Sequence, residues 1–174
     1  MIFIRHGHAA PGEFGIDLLR PLSEQGRKQV EEVILPTTFS DVFISPAQRT
    51  LDTANSIIMN SNKKAGMNRI RQTFTLPVLY APILLPEMDR MYQQYGEDVR
   101  SYVNDKDIAN TMKLTQQAAT ILRQFGDPSS LVVAHGLILN LIAFHIYGLD
   151  KVLDINLGTA KGFWVKNEHE IVEF

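Results

Sequence analysis

The chain has 174 residues, 45% of them hydrophobic and 21% charged, with a formal net charge of -2. Residues 1–174 are most simply one domain with enough apolar material for a substantial core, and the charge balance gives no electrostatic case for nucleic acid or an anionic membrane. There are no cysteines, which excludes disulfides, thiolate metal sites and cysteine nucleophiles together.

The N-terminus carries neither a basic leader nor a long apolar segment, so a cytoplasmic protein with no membrane partner is expected. Met1 to Ile4 read as a short buried strand, after which the chemistry changes abruptly to Arg5-His6-Gly7-His8. Ala9 to Leu22 is predicted as a loop punctuated by Pro11-Gly12, Gly15 and Pro21. Ser23 is a good N-cap for a helix over Glu24–Ile34, which Pro36 ends. Asp41–Ile44 is a second strand stopping at Ser45-Pro46. The helix after it, predicted through Met59, carries Ala47, Leu51, Ala54 and Ile58 on one stripe.

The polar, basic stretch from Asn60 to Phe74 reads as an exposed connection, and Pro77 as the start of a third strand, Val78-Leu79-Tyr80, near a sheet edge. Met88 to Asp107 is predicted as a short helix plus loop, and Ile108–Phe125 as a clear helix stopped by Gly126-Asp127-Pro128. Leu131–Ala134 is a fourth strand ending at His135-Gly136. It is followed by a helix over Leu137–Tyr147 that is apolar nearly all round and ends at Gly148. Gly162–Lys166 and Glu170–Phe174 form a hairpin around Asn167-Glu168. This alternation predicts an α/β fold: a three-layer α/β/α sandwich whose largely parallel sheet has an antiparallel edge.

In such a sheet, ligands collect at the carboxyl ends of the strands. Three strands end in useful chemistry: Arg5-His6-Gly7, Ser45-Pro46 with Arg49 one turn on, and His135-Gly136. Two arginines and two histidines with no carboxylate among them suit a phosphate dianion, because the guanidinium fork pairs two phosphate oxygens at any working pH. A neutral imidazole can attack phosphorus, and the remaining groups can stabilise the charge on the equatorial oxygens. An acid is still needed for the leaving oxygen, and Glu87 and Asp89 are the candidates. Arg20, Arg90 and Arg100 are basic residues that an anionic substrate could contact, although exposed arginines are usually only solvated.

Each element alone has a bland explanation as a turn or a cap; the three together, each after an apolar strand, are harder to dismiss. A metal site using His6 and His8 with Asp17 or Asp89 is the competing reading, but paired arginines beside a divalent cation are unfavourable. No metal and no cofactor are therefore expected. His145 reads as a packed residue, His169 as a surface one, and His8 as a rim residue without a role.

Four ordered elements resemble the histidine phosphatase superfamily, the phosphoglycerate mutase-like enzymes. They are Ile4-Arg5-His6-Gly7, Pro21-Leu22-Ser23-Glu24-Gln25-Gly26, the run from Ser45 to Ala54, and Val133-Ala134-His135-Gly136. The resemblance implies a phosphoglycerate mutase-like fold, with His6 as the phosphorylated nucleophile and Arg5, Arg49 and His135 as the phosphate pocket. It also implies Glu87, in Leu85-Pro86-Glu87, as the acid in preference to Asp89.

Two departures favour hydrolysis over transfer: the short segment between Glu87 and His135, and Gly12 where mutases usually carry asparagine. Arg20-Pro21-Leu22-Ser23 and the short length are similar to the SixA branch, which acts on protein phosphohistidine. The helix after His135 looks more like that of the small-molecule phosphatases. The first expectation is thus a metal-independent phosphomonoesterase, and the second a phosphohistidine-protein phosphatase. A phosphoglycerate-type mutase and a non-catalytic phosphate-binding scaffold are less favoured.

Overall fold

The computed structural model describes residues 1–12, 14–65, 70–80, 85–96, 98–167 and 169–174, without the side chains of 14–16, 62–65 and 85. Four short parallel strands form its centre: β1 (Ile2–Arg5), β2 (Asp41–Ile44), β3 (Gln72–Thr75) and β4 (Leu131–Ala134). A hairpin of β5 (Gly162–Asn167) and β6 (Glu170–Glu173) completes a six-stranded sheet in the order β3-β2-β4-β1-β5-β6. The hairpin is antiparallel, as expected, and β5 pairs with β1.

The two-residue period of a strand sorts the apolar side chains into two cores. Ile2, Ile4, Val42, Ile44, Leu131 and Val133 point to one face, where Val30 of α1 (Glu24–Glu31) and Ala54 and Ile57 of α2 (Gln48–Ala65) cover them. Phe3, Phe43, Val132 and Ala134 point to the other. That face is covered by α5 (Ala109–Phe125) and α6 (Gly136–Tyr147), with the shorter α3 (Leu85–Tyr95) and α4 (Val99–Val103) beyond them. Each fully buried Ile, Leu or Phe contributes about 1.5–3 kcal/mol relative to exposure, so the two cores carry the fold. The three-layer α/β/α architecture is the expected one.

Ser23 caps α1 by accepting a hydrogen bond from the Gly26 N–H at 3.0 Å, and Gly148 closes α6 in the left-handed conformation at φ 65°. Gly26 has a further reason to be glycine, since a Cβ there would lie 2.0 Å from the His8 carbonyl oxygen. That close approach lets α1 pack on the segment following β1.

Several boundaries differ from expectation. Helix α1 ends at Glu31, leaving Val33 and Ile34 outside it, and α2 continues past Met59 to Ala65. The third strand is not Val78-Leu79-Tyr80: Pro77–Leu79 is a 3-10 turn, and β3 lies earlier, at Gln72–Thr75. Proline fixes φ for a helical turn and has no N–H to give a ladder, whereas Thr73-Phe74-Thr75 has the branched and aromatic side chains that suit a strand. The expected loop over Ala9–Leu22 holds a 3-10 turn at Phe14–Leu19 and one bridge between Ala9 and Leu22. The predicted connection at 66–69, the segment at 81–84 and the hairpin residue Glu168 lie outside the described residues. No described helix is long and apolar enough to cross a membrane.

Candidate functional site

Strands β2, β4 and β1 are adjacent and parallel, so the residues that follow them emerge on one sheet edge. The rings of His6 and His135 meet there edge to face, with centroids 5.2 Å apart. His6 is pinned at both backbone groups: its N–H donates to the Ala134 carbonyl, and its own carbonyl accepts from Ala160 N–H, each at 3.1 Å. Ala160 adopts φ 58°, a left-handed conformation unusual for a residue with a Cβ.

The side chain of His6 is equally constrained. Its Nδ1 lies 2.7 Å from the Gly7 carbonyl oxygen, which can only accept, so Nδ1 carries the proton. The other nitrogen, Nε2, is then a lone pair, and it accepts from Arg49 Nε–H at 3.2 Å. A buried imidazole with a fixed tautomer and a lone pair aimed into the site has the form of a nucleophile or base.

Arg49 is held by the loop preceding α1. Its Nη1 donates to the Asp17 carbonyl at 2.7 Å and its Nη2 to the Asp17 carboxylate at 2.8 Å. The same carboxylate accepts from Tyr80 Oη at 3.1 Å and from Arg20 Nη1 at 2.9 Å. Burial pushes the Asp17 carboxyl up, but hydrogen bonds from Arg49, Tyr80 and Arg20 outweigh it and hold the group below the usual carboxylate range. Arg20 also donates to the Ala10 carbonyl. It therefore braces Asp17 and is not among the described cavity-lining residues.

The rest of the Ser45–Ala54 run is scaffolding. Asp52 accepts from Leu22 N–H, Thr53 Oγ1 accepts from Gly7 N–H, and Thr50 Oγ1 donates to the Ser45 carbonyl. Ser45 Oγ itself lies 2.9 Å from His135 Nε2. Arg5 crosses in front of Gly136, where a Cβ would lie 3.2 Å from its Cδ, and its Nη1 donates to the Leu157 carbonyl at 2.6 Å.

Burial, with the charges of Arg49 and Arg5 added, pushes His6 down to about 3 despite the opposing hydrogen bond to Gly7. His135 is driven well below its ordinary value, first by burial and then by His6, Arg49 and Arg5. Both rings are therefore neutral at pH 7. Below the unfolded value of 6.5 the unfolded chain takes up protons that the folded chain refuses, so stability is lost on acidification. The slope is about 1.4 kcal/mol per pH unit for each imidazole. The urea midpoint is expected to fall as pH is lowered from 6.5 towards 3, less steeply in His6→Gln than in the wild type. Equal slopes would show that His6 is not held neutral.

A cavity of about 290 Å³ opens in front of these rings, lined by Arg5, His6 and His135 at one end. One wall is made by Met88, Asp89 and Tyr92 of α3 with Gly96 just after it. Glu87 is not part of that wall. Its carboxylate turns towards α5, accepting from Thr111 Oγ1 at 2.9 Å and Thr111 N–H at 3.3 Å. Met91, one turn on, is fully buried on the same side. Successive helical residues lie 100° apart, so Glu87 and Asp89 face nearly opposite ways and only Asp89 reaches the cavity.

His8 is exposed and bonds Ser23 Oγ; among the described residues, no three histidine or acidic side chains cluster as metal ligands. His145 is half-buried with its Nε2 unpartnered, in keeping with a packed residue. Sequence reasoning missed the anchoring role of Asp17 and the contacts of Ser45 and Tyr80. A cue for the first existed: a buried arginine needs a counter-charge, although nothing in Phe14–Leu19 marks which residue supplies it.

The sequence matches no known family model and no curated protein. Solved structures do match. The α-ribazole phosphatase of Shigella flexneri superposes with a TM-score of 0.58 at 16% identity, over 98% of this chain and 92% of that one. The phosphoserine phosphatase of Entamoeba histolytica, in complex with 3-phosphoglyceric acid, gives 0.59 at 17% identity over 93% and 88%. The protein histidine phosphatase SixA, complexed with tungstate, gives 0.54 at 16% identity over 99% and 92%. Superposing over more than nine-tenths of its length on these phosphatases, this chain has their phosphoglycerate mutase-like α/β fold.

Proposed function

We propose that the protein is a metal-independent phosphatase that hydrolyses phosphomonoesters through a phosphohistidine on His6. The observation that carries the reading is the tautomer of His6, whose protonated Nδ1 is tied to Gly7 and whose unprotonated Nε2 accepts from Arg49 Nε–H, with His6 itself at the cavity end lined by Arg5 and His135.

In the first step Nε2 attacks phosphorus, the bond from phosphorus to the leaving oxygen breaks, and that oxygen takes a proton. Arg5, Arg49 and neutral His135 stabilise the equatorial oxygens. For the proton donor the geometry favours Asp89, which lines the cavity, over Glu87, whose carboxylate is engaged by Thr111. In the second step Asp89 takes a proton from the attacking water, the water oxygen bonds to phosphorus as the P–N bond breaks, and inorganic phosphate leaves with His6 and Asp89 restored.

The likeness to SixA supports a second reading with the same chemistry, in which the substrate is a phosphohistidine borne by a protein. The two are separated by offering both substrates. For the shared chemistry, the test is rapid quenching with a labelled phosphomonoester. Phosphate is expected on His6 in a form labile to acid and stable to alkali, and it is expected to persist in EDTA. Turnover without a phosphoenzyme, or turnover lost to EDTA, would overturn the mechanism.

A further inference from the structure

Beyond its phosphoryl end the cavity changes character. Tyr92 of α3, Val99 and Tyr102 of α4, Leu137 and Ile138 of α6, and Ile155 make up much of its wall. The polar groups nearby are mostly spent. The amide of Asn140 donates to the Val152 and Ile155 carbonyls at 2.6 and 2.9 Å, and the Tyr102 hydroxyl donates to the Gly96 carbonyl at 2.6 Å. Among the described lining residues, Arg5 is the sole cation and Asp89 the sole carboxylate. Arg5 stands at the phosphoryl end, beside His6 and His135. Arg20 is outside the lining, committed to Asp17, and Arg49 is held by Asp17 with only its Nε–H turned to His6 at the phosphoryl end.

A phosphomonoester bound with its phosphoryl group at Arg5 must therefore lay its leaving group against an apolar wall. A carboxylate or ammonium on that group would meet, among the described lining residues, no cation beyond Arg5 and only Asp89, the Asn156 amide and the Tyr92 hydroxyl as polar groups. A carboxylate would find no second cation, Asp89 cannot neutralise an ammonium while it holds the proton for the leaving oxygen, and either ion would lose water on the apolar side for little in return. A cavity of about 290 Å³ also sits at the small end of ligand sites, enough for a phosphoryl group and one ring or a branched chain. Tyr92 is 60% exposed and stands at the cavity wall, offering an aromatic edge to the entering group.

We infer that the substrate's leaving group is an uncharged, apolar alcohol, aromatic or branched aliphatic, seated between α3–α4 and the start of α6. This rests on the phosphatase reading above and narrows it to a substrate class.

The test uses two esters of primary alcohols, 2-phenylethyl phosphate and phosphoserine, so that leaving-group chemistry is similar and only the appended group differs. The wild type is expected to favour the phenylethyl ester by about tenfold or more in kcat/KM, the scale of discrimination a hydrophobic pocket achieves. Tyr92→Arg, at a position whose exposure lets the protein fold, is expected to shift the ratio towards phosphoserine. Equal use of the two esters, or a ratio unmoved by that substitution, would overturn the inference while leaving the hydrolytic reading standing. Binding of the non-hydrolysable 2-phenylethylphosphonate and 3-phosphonopropionate, measured by calorimetry, separates the two ideas further. Hydrolysis of neither ester, with tighter binding of the phenyl compound, refutes the phosphatase and supports the apolar pocket. Equal binding refutes the pocket.

Discussion

Replacing His6 by alanine is expected to lower phosphate release by about 10⁴-fold or more, the scale on which removing a covalent nucleophile acts. No other described group can take its place. His135 faces Ser45 through its Nε2, Arg49 cannot lose its proton, and His8 is exposed and bonded to Ser23 outside the cavity. The loss should fall on kcat, because Arg5, Arg49 and His135 still present an anion site. His6→Ala also removes a buried polar ring, so circular dichroism and a thermal midpoint must accompany the assay. A folded variant with wild-type turnover would eliminate the phosphohistidine route.

The second large effect concerns the proton donor. Asp89→Asn is expected to reduce kcat by about 10²–10⁴-fold on an alkyl phosphate, the range over which a positioned general acid contributes. The loss should be much smaller on 4-nitrophenyl phosphate, whose leaving oxygen departs as a stable anion. Glu87→Gln is expected to change kcat little on either substrate, since an amide oxygen still accepts from Thr111 and the side chain does not line the cavity. The opposite pattern, a leaving-group-dependent loss in Glu87→Gln alone, would return the acid to the position that family resemblance implies. It would also require α3 to turn by about 200°, two residues' worth of helix, from the arrangement described. Running both substitutions on both substrates therefore decides the matter from one set of rates.

How legible the site was depended on how each residue reaches it. Arg5, His6 and His135 directly end or follow strands, and Arg49 follows β2 by little more than one helical turn. Their position depends on sheet order alone once the strands are recognised. Short apolar runs bounded by glycine or proline announced β1, β2 and β4 well. The Val78–Tyr80 expectation failed because apolar content was weighed above backbone chemistry: Pro77 starts a turn, and the weaker-looking Gln72–Thr75 pairs with β2. The N-cap at Ser23 and the stop at Gly148 were readable because capping is local.

Local chemistry thus determined in advance the α/β class, the antiparallel hairpin and the histidine-arginine set at one sheet edge. These depend on strand periodicity, capping and the rule that parallel strands present their carboxyl ends together. Tertiary structure alone decided which nitrogen of His6 is unprotonated, that Asp17 holds Arg49, that Arg20 braces Asp17, and that Asp89 faces the cavity while Glu87 faces Thr111. The apolar lining opposite Arg5 belongs with these. Each depends on the rotation of a helix or the path of a loop against a distant partner, and the pattern of neighbouring residues does not encode that geometry.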